Sequence, residues 1–414
     1  MADQRTRTVS AAFGVPQFRV LWTAGLGSVI GDQLARVALS ILVFQRTGSA
    51  ALSAGTYALS MLPALVSGAL FAWLADRFDR RRVMVACDVL RAALVSVMAI
   101  PAIPLGVVAG LLVVVQLVEA PFSAAQGAVL PEMLGRRYEA GQAVQQITGQ
   151  LSLVLGFAVA ALVVTDVGAH AALGIDAATF AVSAILIRAG IAPYPPPPAA
   201  EVSVGSRWRR LWREVGAGAV IVAGDRQLWT LVWLGWLALF TVVPEGLAVP
   251  FAQQIGVSGG WIGVILAAEP AGAVVGAMLL RLVPRIWRLR ALGLLAVGTS
   301  LPLLGYWARP GLAAALVLLV LSGLCSGYQV TAGATFVQLA PVAVRGRALG
   351  FARTGQVAGQ GIGVVLGGVL AQTAGAAGAI AWAGTAGALV ALAAALTWSR
   401  RHPDTIAAAL PAEA

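Results

Sequence analysis

Long apolar runs separated by short polar segments fill the chain from about residue 18 to residue 398. Each run is close to the roughly 20 residues that an α-helix needs to cross the hydrocarbon core of a bilayer. The pattern predicts twelve membrane-spanning helices, at residues 18–44, 50–75, 83–102, 105–130, 142–165, 168–189, 228–252, 259–281, 290–308, 311–337, 348–372 and 375–398. Because twelve is even, both ends of the chain are expected on the same side of the membrane.

The positive charges assign that side. All 28 cationic side chains belong to arginine, and 24 of them fall at or beyond span ends on one predicted side. Two lie in loops of the other side (Arg46 and Arg309), and two lie inside spans (Arg36 and Arg91). Cationic loops are retained in the cytoplasm. We therefore expect a multi-pass protein of the plasma (cytoplasmic) membrane with both termini in the cytoplasm.

The composition fits this class. Of 414 residues, 59% are hydrophobic and 11% are charged, with a mean hydropathy of +0.87, which is more apolar than a soluble domain of this size requires. The net charge of +11 is distributed between apolar runs, so the expected partner is the lipid bilayer and not nucleic acid. Cys87 and Cys325 lie inside spans and predict no disulfide. Residues 1–10 lack the apolar core of a signal peptide, so the first span is expected to serve as the insertion signal.

The middle of the chain has a different pattern. Residues 193–198 contain five prolines and cannot be helical. After them, Trp208, Leu211, Trp212 and Val215 follow helical spacing with arginines on the other faces. This predicts an amphipathic helix on the inner membrane surface, in preference to a calmodulin-like target. The expected divisions are two six-helix halves, the linker between them and a cytoplasmic tail: 1–190, 191–217, 218–400 and 401–414.

The two halves repeat each other in sequence. At a spacing of 210 residues, Pro131, Arg137, Gln146, Gly149 and Gln150 match Pro341, Arg347, Gln356, Gly359 and Gln360. At a spacing of 208 residues, Gly68, Ala69, Arg77, Arg80 and Arg82 match Gly276, Ala277, Arg285, Arg288 and Arg290. Two correspondences at nearly one period predict duplicated halves related by an axis along the membrane normal.

The densest charge run lies between the second and third spans. Every residue from Asp76 to Arg82 except Phe78 is charged, so this segment must be a short turn on the cytoplasmic side. Its arginines could serve only as a topological signal. The two aspartates, Asp76 and Asp79, are not explained in that way, because acidic residues contribute little to topology.

This loop resembles the signature G-x-L-A-D-R-x-G-R-R of the major facilitator superfamily. The match keeps Asp76, Arg77, Arg80 and Arg81, while Ala72 and Asp79 stand where the family has glycine. The resemblance implies an all-α polytopic membrane protein of two pseudo-symmetric six-helix halves that works by alternating access. It also implies that these four matching residues form a conformational gate loop.

Other segments resemble the drug:proton antiporter branch of that superfamily, which includes macrolide-efflux proteins and the enterobactin exporter. They are Phe18–Trp22, Gly31-Asp32, Asp88–Ala92 and Ile175–Ala177 with Ser183. The resemblance covers about residues 15–400 and implies proton-coupled efflux of a small amphipathic drug or secondary metabolite. The chain departs from the antiporter signature of helix 5, G-x(6)-G-P-x-x-G. Its first two glycines are Gly149 and Gly156, but Phe157 and Ala160 replace its proline and last glycine.

Five carboxylates lie well inside predicted spans: Asp32, Glu119, Asp176, Glu245 and Glu269. A charge at the bilayer centre costs roughly 2.5–3.5 kcal/mol on insertion scales, so each needs a partner, a wet cavity or a proton. In the family, helices 1, 4, 7 and 10 line the transport path. The candidates for proton coupling or for the substrate cavity are therefore Asp32, Arg36, Gln116, Glu119, Glu245, Glu269 and Gln329.

Local spacing leaves alternatives for the acids of the first half. Asp32 and Arg36 are one helical turn apart, so they are either a self-satisfied ion pair or a coupling pair. Asp88 and Arg91 are expected to form a structural pair. Asp176 could also be a helix-start residue near the headgroups.

Prolines mark the acids of the second half. Glu245 follows Pro244 in the seventh span, and broken helices tend to line substrate sites. Glu269 precedes Pro270 in the eighth span, where Gly272 and Gly276 predict close helix packing.

The sequence contains no enzyme signature, and no cofactor or metal site is expected. It also lacks a phosphate-binding loop, so energy must come from an ion gradient unless transport is facilitated. The expected partners are a small-molecule substrate, protons and lipid, and the expected state is a monomer. Two alternatives remain: facilitated or proton-coupled uptake of a small nutrient, and a non-transporting membrane scaffold or receptor. The scaffold predicts no central polar cavity.

Overall fold

The structure is a computed structural model, and it describes residues 11–63, 66–67, 71, 74–195, 213, 216–341 and 344–399. These residues form helices joined by short turns, with no strand among them. They group into two compact units, Met1–Leu42 with Leu59–Trp208 and Val43–Ala58 with Arg209–Ala414. The surface helix predicted from Trp208 to Val215 and the predicted tail lie outside the described residues, apart from the helical Arg213.

Seven helices whose ends are both described precede the linker. They are α1 (Pro16–Thr47), α2 (Ala50–Leu59), α3 (Leu74–Arg77), α4 (Arg80–Met98), α5 (Leu105–Leu134), α6 (Tyr138–Val167) and α7 (Ala169–Gly190). A 3-10 turn at Gly135–Arg137 joins α5 to α6, and Gly168 joins α6 to α7 with a φ of 84°. That backbone conformation is readily available to glycine, which has no Cβ.

The apolar core of the first unit holds α1, α4, α5 and α7 together. Phe18, Met84, Val129 and Ile187 are completely buried in it. Each comes from a different helix, so the four helices share one packed interior.

The second unit contains the helices that follow the linker. Residues 216–224 are helical, and the helices after them are α8 (Arg226–Trp236), α9 (Ala238–Thr241), α10 (Val243–Gly246), α11 (Ala248–Gln254), α12 (Gly260–Arg281), α13 (Arg285–Ser300), α14 (Leu312–Ser326), α15 (Tyr328–Leu339) and α16 (Arg345–Ser399). A 3-10 segment, Leu301–Ala308, continues α13. The short helices α8–α11 fill the predicted seventh span, so that span is broken as its prolines indicated.

The helix α16 contains two spans. Its 55 residues change direction at Gly375, where φ is 74° and ψ is 167°. Gly375 is the predicted first residue of the twelfth span, so this boundary is confirmed.

Glycines bring α12 against α14. A Cβ on Gly276 would meet the backbone of Leu324, and one on Gly272 would lie 3.0 Å from the Leu324 nitrogen. Glycine on the opposite helix does the same, because a Cβ on Gly323 would lie 2.9 Å from the Ala273 nitrogen. Backbones can approach this closely only where side chains are absent. The close packing predicted from Gly272 and Gly276 is confirmed.

In the part of the chain that the structure describes, nine helices are long and apolar enough to cross a membrane. They coincide with the predicted first span, the fourth to tenth spans, and the eleventh and twelfth spans joined in α16. The predicted third span, α4, is less apolar because it carries Asp88, Arg91 and the loop arginines. The second span includes residues outside the described ranges. This all-helical architecture is consistent with twelve spans.

Candidate functional site

Buried charges gather in the first unit where α1, α4, α5 and α7 pack together. We call Asp32, Arg36, Asp88, Arg91, Glu119 and Asp176 the charge cluster. Asp88, Arg91 and Asp176 are at most 2% exposed, whereas the other three are partly buried. Four acids and two arginines therefore occupy a region where water is scarce, and each must be stabilised by the others or by a proton.

Arg91 lies at the centre of the cluster. Its Nη2 forms an ion pair with Oε2 of Glu119 on α5. Its guanidinium carbon lies 5.1 Å from the Phe122 ring centre and 5.3 Å from the Phe180 ring centre, close enough for cation–π attraction. Its Nε is buried and has no hydrogen-bond partner. The guanidinium is thus held by one carboxylate and two rings, with one donor unused.

The predicted Asp88–Arg91 structural pair requires a correction. Ser183 of α7 donates a 2.6 Å hydrogen bond to Oδ2 of Asp88, and Oδ1 of Asp88 has no partner. Arg91 makes its ion pair with Glu119 instead. The long arginine reaches α5, while the short aspartate faces α7, although both residues lie on α4. Asp88 and Arg91 still interact electrostatically.

Asp32 faces the same cluster from α1. Asp32 interacts electrostatically with Arg91, Glu119 and Arg36, and no hydrogen bond joins it to Arg36 among the described contacts. Arg91 and Glu119 line one cavity with Asp32, whereas Arg36 is not part of that wall.

Gly31 explains how Asp176 comes close to Asp32. A Cβ at position 31 would collide with Oδ1 of Asp176 and with Oγ1 of Thr179. Glycine therefore lets the polar face of α7 touch the backbone of α1. Thr179 donates a 2.7 Å hydrogen bond to the Asp176 carbonyl. Asp176 is inside α7 and buried, so the helix-start interpretation is wrong.

A cavity of about 180 Å³ opens beside the cluster. Asp32, Arg91 and Glu119 contribute to its wall, whereas Gln116 does not. The Glu119 side chain is 40% exposed, and its Oε1 accepts a 2.6 Å hydrogen bond from Ser123. Further lining residues combine polar and aromatic character: Trp22, Ser28, Phe122, Gln126, Gln145 and Ser152. A molecule in this cavity would meet hydrogen-bonding groups, aromatic rings and the carboxylates of Asp32 and Glu119.

The fifth predicted span corresponds to α6, and the two departures from the antiporter signature there leave this helix intact. Gly149 lines the cavity, and Gly156 packs on α1, where a Cβ would lie 2.8 Å from Cγ of Gln33. Phe157 and Ala160, which replace the proline and the last glycine of the signature, are almost completely buried. The close contact with α1 is therefore kept without the proline.

The loop between the second and third spans binds neighbouring helices of its own unit. Arg80 forms an ion pair with Glu132 near the end of α5, and Arg81 Nη1 donates to the Ile191 carbonyl at 3.1 Å, just after α7. Asp79 caps α4, since its Oδ1 accepts the Arg82 N–H at 2.9 Å. Capping explains why an aspartate stands where the family has glycine.

The remaining loop residues are less informative. Arg77 is exposed at the end of α3. The backbone of Asp76 belongs to α3, but its side chain lies outside the described part of the structure. The gate role of this loop stays a prediction.

The second unit holds the other predicted acids. Tyr57, which belongs to this unit through Val43–Ala58, donates a hydrogen bond to Oε2 of Glu245 in α10. Glu269 on α12 interacts electrostatically with Glu245, and the nearby Ser326 hydroxyl donates a 2.8 Å hydrogen bond to the Gly323 carbonyl. Gln329, near the start of α15, is partly buried. Glu245 and Glu269 are thus neighbours on two adjacent helices.

Sequence reasoning missed Arg91, Asp88 and Asp176 as site residues. Arg91 carried a usable signal, because only Arg36 and Arg91 lie deep inside predicted spans. A cation at that depth must find a carboxylate or a water-filled space. The pairing of Arg91 with Glu119 required the relative rotation of α4 and α5, which the sequence does not contain.

Comparison with known proteins agrees with the helical architecture. The model of the Major Facilitator Superfamily matches residues 21–286. Macrolide efflux protein A of Streptococcus pyogenes is 25% identical over 64% of this chain and 66% of its own length. The multidrug efflux pump Tap of Mycobacterium tuberculosis is 27% identical over 64% of each chain. The matched region thus spans slightly less than two thirds of these relatives.

Solved structures share the fold at low sequence identity. A crystal structure of the peptide transporter POT with sulfate is 15% identical, covers 94% of this chain and 97% of that chain, and has a TM-score of 0.70. The nucleoside transporter NupG is 13% identical, covers 93% and 99%, and has a TM-score of 0.71. With a family model that matches more than half of its length, this chain belongs to the Major Facilitator Superfamily and is a multi-pass membrane transporter, not an enzyme.

Proposed function

We propose that this transporter works by alternating access and exports a small amphipathic drug or secondary metabolite in exchange for protons. The observation that carries the proposal is the charge cluster beside the cavity of the first unit. Asp32 and Glu119 both line that cavity, so a proton carrier and a substrate could occupy the same space. Competition for one space is the simplest way to exchange two solutes.

The chemistry of the cluster suits proton exchange. Carboxyl groups that are shielded from water and close to one another do not all remain ionised, so protons bind among them. Arg36 and Arg91 can balance two of the four acids. Access through the cavity lets Asp32 exchange its proton with water, whereas Asp176 is sealed at 1% exposure.

The relatives support export more than uptake. Both named relatives are efflux proteins by name, although the match covers about two thirds of each. The peptide and nucleoside transporters share the fold at identities that do not indicate a substrate. A non-transporting scaffold would have no use for the polar cavity at the charge cluster. We further propose a plasma-membrane location, cytoplasmic termini and a monomeric state.

A cellular accumulation assay tests the proposal. Cells that express the wild-type chain should accumulate less of at least one compound in an amphipathic panel, and a protonophore should restore accumulation. Asp32→Asn should abolish gradient-driven export while the protein remains folded, and Glu119→Gln should have the next largest effect. Higher accumulation on expression would favour uptake, and an unchanged panel would favour the scaffold. Full export by both variants would move the coupling role to Glu245 or Glu269.

A further inference from the structure

A groove between α1 and α7 opens on the apolar outer surface of the first unit. We propose that it binds one anionic phospholipid, with an acyl chain in the groove and the phosphate at the Arg19 guanidinium. The groove shares no lining residue with the cavity at the charge cluster. The site requires only that the chain spans a bilayer, so it does not depend on the substrate or on the direction of transport.

Two close contacts hold α1 and α7 together on either side of Gly27. A Cβ on Gly190 would lie 2.6 Å from Cγ2 of Val20, where α1 begins and α7 ends. The second is the contact of Gly31 with Thr179, halfway along α1. A Cβ on Gly27 itself would meet no heavy atom within 4 Å. The helices therefore enclose an open space of about 240 Å³ between the two contacts.

The hydroxyl groups that line this groove already donate to other atoms. Thr23 and Thr179 donate to backbone carbonyls of their own helices, at 2.8 Å and 2.7 Å. Ser183 donates a 2.6 Å hydrogen bond to the Asp88 carboxylate. The rest of the lining is glycine, alanine, valine, leucine and isoleucine. A polar ligand would lose its hydrogen bonds to water without replacement here, whereas a hydrocarbon chain meets an apolar wall.

The groove is about as long as one leaflet of hydrocarbon is thick. On α7 it runs from Ile175 to Leu186, about 16 Å at a rise of 1.5 Å per residue. The hydrocarbon core of a bilayer is about 30 Å thick, so one leaflet contributes about 15 Å. Ile175 and Val182 are 43% and 53% exposed, so the groove is open on the side that faces lipid. An acyl chain of the adjoining leaflet can enter from that side and fill its length.

Arg19 supplies a positive charge at the end of the groove. It lies one helical turn before Thr23, so the two side chains share a face of α1. Arg19 is exposed, and its guanidinium has no ion pair or hydrogen bond within the part of the chain that the structure describes. Each arginine near the bilayer surface gives roughly a fivefold preference for an anionic headgroup. Lipid tails are as apolar as the groove, so the headgroup charge decides which lipid is retained.

Arg188 provides an internal control for this charge. It is exposed in the last turn of α7, and the contact of Val20 with Gly190 places that turn beside the start of α1. Because Arg188 follows Leu186 by two residues, its side chain points about 200° around α7 from that lining residue. Arg188 therefore adds to the positive charge of this membrane end without facing the groove. With the proposed cytoplasmic termini, this end lies in the inner leaflet.

Native mass spectrometry of the purified full-length chain in detergent tests the site, with thermal unfolding measured in parallel. The probes are dioleoylphosphatidylglycerol and dioleoylphosphatidylcholine, which have the same acyl chains and differ in headgroup charge. Wild type should retain one phosphatidylglycerol at least about fivefold more tightly than phosphatidylcholine. Phosphatidylglycerol should also raise the unfolding temperature more, because a ligand that binds only the folded state stabilises it.

Variants separate the headgroup from the acyl chain. Arg19→Gln should abolish the preference for phosphatidylglycerol, and Arg188→Gln should keep it. Gly27→Leu should weaken the binding of both lipids at least about fivefold, because its side chain fills the groove. Gly174→Leu is the control for added bulk, since a Cβ there also meets no heavy atom within 4 Å and Gly174 does not line the groove. If Gly27→Leu is not folded, Ala178→Leu on the opposite wall takes its place, with the same expected result.

Several outcomes would overturn the inference. Equal retention of the two lipids by wild type would contradict a site for an anionic headgroup. Equal losses in Arg19→Gln and Arg188→Gln would mean that only the general charge of the surface attracts the lipid. Unchanged lipid binding in Gly27→Leu or its replacement would mean that no acyl chain occupies the groove. Loss of export in Gly27→Leu with lipid binding intact would assign the groove to a transported molecule instead.

Discussion

Gly31 makes a close contact beside the charge cluster that a single methyl group can probe. A Cβ at this position would collide with the Asp176 carboxylate and the Thr179 hydroxyl, and it would lie 3.3 Å from Cβ of Thr179. Gly31→Ala should therefore push α7 away from α1 next to Asp32. Gly27, one turn earlier on α1, has no heavy atom within 4 Å of the corresponding Cβ position. Gly27→Ala is thus a control of the same chemistry on the same helix.

The two substitutions should change stability in opposite directions. In a helix interior, replacing glycine by alanine gains roughly 0.5–1 kcal/mol, and both variants share that gain. Overpacking a filled site costs about 1–3 kcal/mol, and only Gly31→Ala incurs it. The free energies of unfolding of the variants should then differ by about 1–3 kcal/mol, which is a factor of about 5–150 in the unfolding equilibrium.

Thermal unfolding of the purified variants, together with the accumulation assay, measures both consequences. Gly27→Ala should unfold at or above the wild-type temperature and export normally. Gly31→Ala should unfold earlier, and it should export less even where it is folded, because Asp176 is displaced from Asp32. Equal stability and equal export of the two variants would refute the account of the α1–α7 contact.

Four further predictions concern other parts of the chain. Asp79→Ala should lower the free energy of unfolding by about 0.5–2 kcal/mol through loss of the α4 cap. Asp79→Asn keeps a capping group and should reduce transport only slightly. Asp76→Asn should reduce transport strongly and leave substrate binding intact. Equal small effects of the two asparagine variants on transport would mean that the loop is only a topological signal. Tyr57→Phe should cost about 1.5–3 kcal/mol in thermal unfolding if the Glu245 partner is ionised, and an unchanged melting temperature would contradict a contribution from that hydrogen bond. Cysteines introduced at residues 46–49 and 253–258, in the predicted outer loops, should be labelled from outside in intact cells. Cysteines introduced at residues 77–82 and 203–213, in the predicted cytoplasmic segments, should not be labelled, and labelling of these from outside would overturn the topology.

Much of the fold could be predicted because a bilayer gives the backbone few options. A segment in hydrocarbon must satisfy its own peptide hydrogen bonds, so each apolar run of sufficient length becomes a helix. The same reasoning placed the start of the twelfth span at Gly375, and the Gly272 and Gly276 spacing indicated the close α12–α14 contact. The short segments α8–α11 were only partly predictable. Pro244 indicated a broken helix, but the interruptions at Leu237 and Val242 precede it.

The charge cluster was less predictable because partner choice depends on helix rotation and side-chain length. Along the sequence, Asp88 is the nearest acid to Arg91, and its spacing of three residues favours a pair on one helix face. In the folded unit, Ser183 binds Asp88, while Glu119 of α5 binds Arg91. This difference matters for function. A pair within α4 would move as one body and could only brace that helix, whereas a pair between α4 and α5 can be broken by a ligand that reaches Glu119.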